Sequence, residues 1–219
     1  MLERDFTHVA NFTGYMQIVF DLVQSANQRQ RILDVPAGNG LLAERGAANP
    51  AYQASRDPRI KAAIAIGPWG MQSGFWDAEG LRGIRTPVLF VAGSVDDISG
   101  YETGVRAIYD GAVNADRYLL TFINANHNAA APYPAPAETH VAAAPPRQSP
   151  FTHYADAVWD TVRMNNIFHH FATAYFELHL KGDAAMQAYF DVPVNGKDGD
   201  WKGFPRRTNV GLTLERARP

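Results

Sequence analysis

An acid and a histidine each follow a stretch of apolar residues, in an arrangement that could perform acid–base chemistry. Val88–Ala92 predicts a buried strand, and Asp96 and Asp97 stand just after it. Tyr118–Ile123 predicts another strand, and His127 follows in its loop. A carboxylate can orient and stabilise an imidazole, which can then take a proton from a nucleophile or from water. The pattern therefore predicts a carboxylate–histidine pair at the carboxyl ends of adjacent strands.

A nucleophile to complete this pair is not found in its usual setting, because the 219 residues contain no Gly-x-Ser-x-Gly turn. The chain has no cysteine, which excludes a thiolate nucleophile, disulfides and cysteine metal sites. Four serines lie near the predicted strands, but none stands on a strand-to-helix turn. We therefore expect none of them to reach His127: Ser55, Ser73, Ser94 and Ser99. One donor of an oxyanion hole is normally the backbone amide after the nucleophile, so we expect this hole to be incomplete as well.

The elements that must position the pair are those of an α/β fold. Besides the two strands above, the apolar runs predict strands at Arg31–Val35 and Ile60–Ile66. Helical periodicity predicts helices at Tyr15–Ala26, Tyr101–Asp110 and Tyr154–Lys181, the last of them ending at Gly182. The proline-rich residues 129–150 predict a surface excursion or a lid. The polar tail has Trp201 and Phe204 as its candidate anchors.

Composition excludes several classes of partner. The net charge is −2 with both signs interspersed, which argues against nucleic acid or an anionic membrane as partner. No run approaches the ~18 apolar residues of a membrane span. The N-terminal residues Met1–Asp5 carry acids and no apolar stretch follows them at once, so we expect no signal peptide and a cytoplasmic location.

The remaining histidines and aromatic residues have ordinary structural interpretations. His169 and His170 project about 100° apart on a helix and cannot chelate one ion together. The other helix-region histidines lack carboxylate partners at ligand spacing, so no metal site is expected. Four aromatic residues could line an acyl pocket or belong to the core: Trp69, Phe75, Trp76 and Trp159.

From about residue 47 to residue 219 the chain resembles the dienelactone-hydrolase-like branch of the α/β-hydrolase superfamily. The resemblance rests on four segments in the family's order: DPRIKAAIAIGPWG (Asp57–Gly70), TPVLFVAGSVDDIS (Thr86–Ser99), NADRYLLTFINANHN (Asn114–Asn128) and HYADAVWDTVRMNNI (His153–Ile167). It implies a truncated α/β-hydrolase-like fold, a mostly parallel sheet with flanking helices, of which residues 46–219 form the C-terminal part.

The resemblance also assigns roles at the predicted pair. Asp96 holds the last place of the family's Gly-x-x-Asp turn, Gly93-Ser94-Val95-Asp96, and would be the acid, with Asp97 as the alternative. His127 would be the general base. The implied chemistry is hydrolysis of a small carboxylic ester or lactone through an acyl-enzyme, without a cofactor. Without the serine turn, we expect that chemistry to be impaired.

Residues 1–45 have a different resemblance. ILDVPAGNGLLAE (Ile32–Glu44) resembles motif I of class I methyltransferases that use S-adenosylmethionine, and there Asp34, Gly38 and Gly40 would approach the cofactor. Pro36 stands in place of the first glycine, and the next predicted strand ends without the acid that would hold the ribose, so we expect no cofactor site. The same segment could be a degenerate nucleophile turn, with Gly38 in the place of serine.

Three functions follow from these patterns. The first is an impaired member of the ester and lactone hydrolase family. The second is a fragment of an S-adenosylmethionine-dependent methyltransferase. The third is a non-catalytic binding or assembly module, because exposed sheet edges left by missing strands would favour homo-oligomers.

Overall fold

The computed structural model describes residue 54 and residues 57–74, 76, 78–131, 133–142 and 149–219. Several predictions lie outside these residues: the helix at Tyr15–Ala26, the strand at Arg31–Val35, the glycine turn with Asp34, Gly38 and Gly40, and the side chains of Ser55 and Phe75. The described part of the chain is one sheet with helices packed on its faces.

The sheet has four strands in the spatial order β1-β2-β3-β4. They are β1 (Ala63–Ile66), β2 (Val88–Gly93), β3 (Arg117–Phe122) and β4 (Leu212–Ala217). The first three are parallel, and β4 runs antiparallel to β3. Every residue of β2 and β3 is buried, as expected for strands that are covered on both faces. The fold class is therefore α/β, as the sequence predicts.

Three α-helices accompany these strands in the described residues: α1 (Ala78–Arg82), α2 (Ala107–Gly111) and α3 (Thr161–Lys181). A π-helical segment, Tyr101–Arg106, leads into α2, and short 3-10 helices lie at Ala137–Thr139, Pro150–Tyr154 and Ala184–Tyr189. No helix among the described residues has both the length and the apolar character needed to cross a bilayer.

The long helix α3 begins later than the sequence predicts. Residues 150–154 form a separate 3-10 helix, and Ala155 is extended. The α-helix then starts after Asp160, whose side chain accepts a hydrogen bond from the Arg163 backbone amide at 2.7 Å. At the other end Gly182 adopts φ 72°, a left-handed conformation that ends the helix as predicted.

Two apolar clusters fill the space on the two faces of the sheet. The larger lies between the sheet, α3 and the C-terminal segment, and it includes Tyr118, Phe122, Phe171, Tyr175 and Trp201. The smaller lies under α1 and α2 and includes Leu81, Phe90, Ile108, Tyr109 and Leu119. In α/β sheets covered on both faces, ligands generally bind at the loops that follow the carboxyl ends of the strands.

The C-terminal tail differs from its prediction as a polar segment, because residues 212–217 form β4. Leu212 and Leu214 are buried, while Thr213 and Glu215, which alternate with them, are only partly so. Arg216 in β4 forms a bidentate ion pair with Asp116, with Nη2 2.8 Å from Oδ2 and Nε 3.1 Å from Oδ1. This alternation of buried and partly buried residues is too short to predict a strand from the sequence, and the segment becomes a strand because it pairs with β3.

Trp201 anchors the tail, as predicted, because only 2% of its surface is exposed.

Candidate active site

Asp96 and His127 meet above the carboxyl ends of β2 and β3. The two strands are parallel, and Gly93 pairs with Phe122 at their last residues, so the loops that follow leave the same edge of the sheet. His127 Nδ1 lies 3.0 Å from Asp96 Oδ2 and 3.2 Å from Oδ1. The structure therefore brings together the acid and the histidine that the sequence singled out.

Asp96 is held rigidly in its loop. Its side chain is fully buried, and its Oδ1 accepts hydrogen bonds from the backbone amides of Ile98 at 2.9 Å and Ser99 at 2.8 Å. These two hydrogen bonds replace the water that the carboxylate loses on burial. A buried charged group needs such partners to be stable. The neighbouring Asp97 is exposed. Of the two candidate acids, Asp96 is the one in contact with the histidine.

The loop that carries His127 is fastened to the segment before α3. Asp156 Oδ2 accepts the Asn126 backbone amide at 2.7 Å, and Asp156 Oδ1 accepts the amides of Val158 and Trp159 at 2.8 and 2.7 Å. Asn128 Nδ2 donates to the Ala155 carbonyl at 2.9 Å. The asparagines beside the histidine thus hold the loop in place. Sequence reasoning did not single out Asp156, because its partner lies 30 residues away.

The loop after β1 supplies the third side of the site. Gly67 adopts φ 52°, and a Cβ at this position would lie 3.1 Å from His127 Cε1 and 3.2 Å from Nδ1. Only glycine lets the backbone approach the imidazole this closely without displacing it. Gly67 belongs to the segment GPWG, whose glycines are the sequence signal for a special backbone position, although its contact with the histidine could not be foreseen.

The prediction that no nearby serine reaches His127 is wrong for Ser99. Its Oγ lies 3.4 Å from His127 Nδ1, and its hydroxyl donates to the Gly67 carbonyl at 2.7 Å. The turn after Asp96 folds back on the carboxylate, which brings Ser99 over the acid. Ser99 therefore sits on the Nδ1 side of the ring, where the acid binds, and not at Nε2, where a nucleophile would give up its proton.

The other ring nitrogen of His127, Nε2, does not contact Asp96. No described residue forms a hydrogen bond with His127 Nε2, and the side chain is 33% exposed. The carboxylate of Asp96 can only accept a hydrogen bond, which assigns the proton of the neutral ring to Nδ1. Nε2 is then left with a lone pair directed away from Asp96, so it can accept a proton from water.

The predicted pocket aromatics divide into two groups. Trp159 belongs to the core, where its ring packs edge-on against Phe122 with centroids 5.2 Å apart and its Nε1 donates to the Ile123 carbonyl at 2.7 Å. Trp69 lies two residues after Gly67 and is 51% exposed, and its carbonyl accepts Trp76 Nε1 at 2.9 Å. Of the three predicted aromatic residues that the structure describes, Trp69 is thus the exposed one.

Two other histidines, His170 and His179, have structural partners. His170 packs among Phe171, Tyr189 and Phe204, and its Nε2 lies 3.1 Å from the Lys202 carbonyl. Burial lowers the pKa of His170 below its ordinary value of 6.5, and burial also lowers the pKa of His179. Within the described ranges, no three His, Asp or Glu side chains converge as metal ligands.

A groove of about 430 Å³ opens beside the carboxyl end of β3. Its lining includes Trp159, Arg163 and Val210 but not Asp96 or His127. The Arg163 guanidinium stacks over the Trp159 ring at 5.0 Å and donates to the Thr208 carbonyl at 2.8 Å. One guanidinium nitrogen of Arg163 is thus engaged within the protein. The groove is separate from the acid–histidine pair.

Comparison with models of known protein families finds no match for this chain. Comparison with curated proteins also finds none. The hydrolase resemblance therefore stays a prediction.

Proposed function

We propose that this chain is related to the carboxylic ester and lactone hydrolases of the α/β-hydrolase superfamily, in the dienelactone-hydrolase-like branch, and that its catalysis is impaired. The observation that carries the proposal is the contact of His127 Nδ1 with the buried Asp96 carboxylate at 3.0 Å, while no described residue is hydrogen-bonded to Nε2. The parallel order of β1, β2 and β3 is consistent with it. The substrate would be a small ester or lactone.

The pair would act as a general base on water. Nε2 of His127 takes a proton from a water molecule as the water oxygen attacks the ester carbonyl, and Asp96 stabilises the imidazolium that forms. The tetrahedral intermediate then expels the alkoxide or phenoxide, which a proton from the imidazolium can neutralise. General-base assistance of this kind is typically worth ~100–10,000-fold. Because no elbow serine supplies a nucleophile, we expect turnover to be slow.

The experiment is the hydrolysis of p-nitrophenyl acetate by the whole chain. We expect turnover little faster than that of free imidazole, without a burst, and insensitive to a fluorophosphonate. Turnover should fall in His127→Ala and be unchanged in His153→Ala, which alters an exposed histidine outside the site. Stoichiometric labelling of a serine together with burst kinetics would show an acyl-enzyme mechanism instead. Equal turnover in the wild type and His127→Ala would refute the role of the pair.

A further inference from the structure

We propose that Ser99 is a positioning residue, which holds the His127 ring with its proton on Nδ1 and its lone pair on Nε2. This inference rests on the proposed function, because it deepens the account of the same acid–histidine pair. Ser99 is fully buried, lies 28 residues before the histidine in sequence, and places its Oγ 3.4 Å from Nδ1. Sequence patterns assign it no role.

The direction of the Ser99 hydroxyl follows from its partners. The Gly67 carbonyl, 2.7 Å away, can only accept, so the hydroxyl hydrogen points toward it. The lone pairs of Oγ are then free to face His127 Nδ1. Nδ1–H thus finds two acceptors, the Asp96 carboxylate at 3.0 Å and the hydroxyl oxygen at the longer distance of 3.4 Å. The Ser99 hydroxyl oxygen is the weaker of the two acceptors in this bifurcated hydrogen bond.

The opposite tautomer is disfavoured by the same geometry. With the proton on Nε2, the bare Nδ1 lone pair would face the carboxylate oxygens and the hydroxyl oxygen at once. A hydroxyl can normally relieve such a conflict by rotating to donate, but this one would have to give up the Gly67 carbonyl, which would then be left buried without its donor. Ser99 thereby strengthens the preference for the tautomer with the proton on Nδ1, which Asp96 already favours.

Ser99 also joins the three loops that build the site. Its backbone amide donates to Asp96 Oδ1 at 2.8 Å, its hydroxyl holds the loop that contains Gly67, and its oxygen faces His127. Replacement by alanine removes the two side-chain contacts and keeps the backbone one. The Ser99→Ala variant therefore isolates the hydroxyl.

The matched control is Ser94→Ala. Ser94 lies in the same loop, and its hydroxyl oxygen accepts the Asn124 backbone amide at 2.8 Å in the loop that leads to His127. It has no contact with the imidazole among the described residues. Ser94→Ala therefore removes a hydroxyl and a hydrogen bond between the same two loops without touching the ring. Ser99→Thr, which keeps the hydroxyl, is the variant expected to restore the wild-type behaviour.

The test is nitrogen-15 NMR of the histidine rings in the whole chain, with the His127 signals identified by their loss in His127→Gln. The wild type should show Nδ1 protonated in the neutral ring. In Ser99→Ala the Nδ1 proton should exchange with water about tenfold faster, and a fraction of the Nε2–H tautomer should appear. With p-nitrophenyl acetate, kcat should fall about three- to tenfold at unchanged KM. Ser94→Ala should leave all three quantities unchanged.

Two results would overturn the proposal. One is a tautomer and an exchange rate in Ser99→Ala equal to those of the wild type. The other is an equal change in Ser94→Ala, which would show a general loosening of the loops. The NMR measurement needs no turnover, so it decides the role of Ser99 even where hydrolysis proves independent of His127. If Ser99→Thr does not fold, the comparison of the two alanine variants decides alone.

Discussion

The backbone of Gly67 lies so close to His127 that a side chain at this position would crowd the imidazole. A Cβ there would lie 3.1 Å from His127 Cε1 and 3.7 Å from Asp96 Oδ2. The loop after β1 therefore packs beside the imidazole and limits where the ring can lie. The position of the histidine depends on three loops, of which only two carry the acid and the base.

Replacement of Gly67 by alanine should reduce both stability and residual hydrolysis. The positive φ of 52° should cost about 1–2 kcal/mol of unfolding free energy for any residue with a Cβ. The new methyl group should also push the imidazole away from Asp96. Urea denaturation and p-nitrophenyl acetate turnover measure the two effects separately.

Gly182→Ala is the control for this prediction. Gly182 has φ 72° at the end of α3, and a Cβ there would meet nothing within 4 Å. We expect a similar loss of stability with unchanged turnover. If the turnover of Gly67→Ala equals that of Gly182→Ala, the loop after β1 does not position the histidine.

Asp96→Asn should lower the residual hydrolysis about tenfold or more, because the amide neither stabilises the imidazolium nor enforces the proton on Nδ1. Asp97→Asn changes an adjacent, exposed carboxylate by the same chemistry and should have no such effect. The measurement is kcat/KM for p-nitrophenyl acetate in both variants. A larger loss in Asp97→Asn would reverse the assignment of the acid.

The pair formed by Asp116 and Arg216 should stabilise the junction of β3 and β4. Its side chains are only 23% and 15% exposed, and it forms two charge-assisted hydrogen bonds. A double-mutant cycle with alanine at both positions should give a coupling energy of about 1–3 kcal/mol by urea denaturation.

The control cycle uses Glu177 and Lys181, an i,i+4 pair on α3 whose lysine side chain is 70% exposed. Its coupling energy should be about 0.3–0.5 kcal/mol, and it should decrease with added salt. Equal coupling energies in the two cycles would contradict the account of how β4 is held.

His170 should make stability depend on pH. Burial lowers its pKa in the folded protein below the ordinary value of 6.5, so the unfolded chain takes up the proton first as the pH falls. The contribution to stability is therefore fully present above pH 6.5 and is lost as the pH falls through the folded-state pKa. His170→Phe, which keeps a ring among the neighbouring aromatic residues, should show a smaller loss of stability between pH 7.5 and pH 5.

The comparison for this effect is His169→Gln, which changes an exposed side chain at the adjacent position of α3. Its unfolding free energy should follow the wild type across the same pH range. The prediction fails if His170→Phe also follows the wild type, because the buried imidazole would then not be the group that titrates.

The sequence by itself determined the strands of the sheet that carry the acid and the histidine. The apolar runs that predict strands at Val88–Ala92 and Tyr118–Ile123 correspond to β2 and β3 within one residue at each end. Continuous apolar runs are typical of strands buried on both faces of a parallel sheet, and adjacent parallel strands have their carboxyl ends at one edge, as β2 and β3 do. The closeness of Asp96 and His127 follows from that rule.

Only the tertiary structure decided which groups surround the histidine. Gly67 and Ser99 are 32 residues apart, and Ser99 and His127 are 28 apart, so no local periodicity relates them. Their contacts depend on how the loops after β1, β2 and β3 turn back over the sheet. The tertiary structure also decided the strand β4. This short segment of a polar tail becomes a strand only because its backbone groups pair with those of β3. Apolar burial is a local property of sequence, whereas these contacts are formed between segments that the chain brings together only on folding.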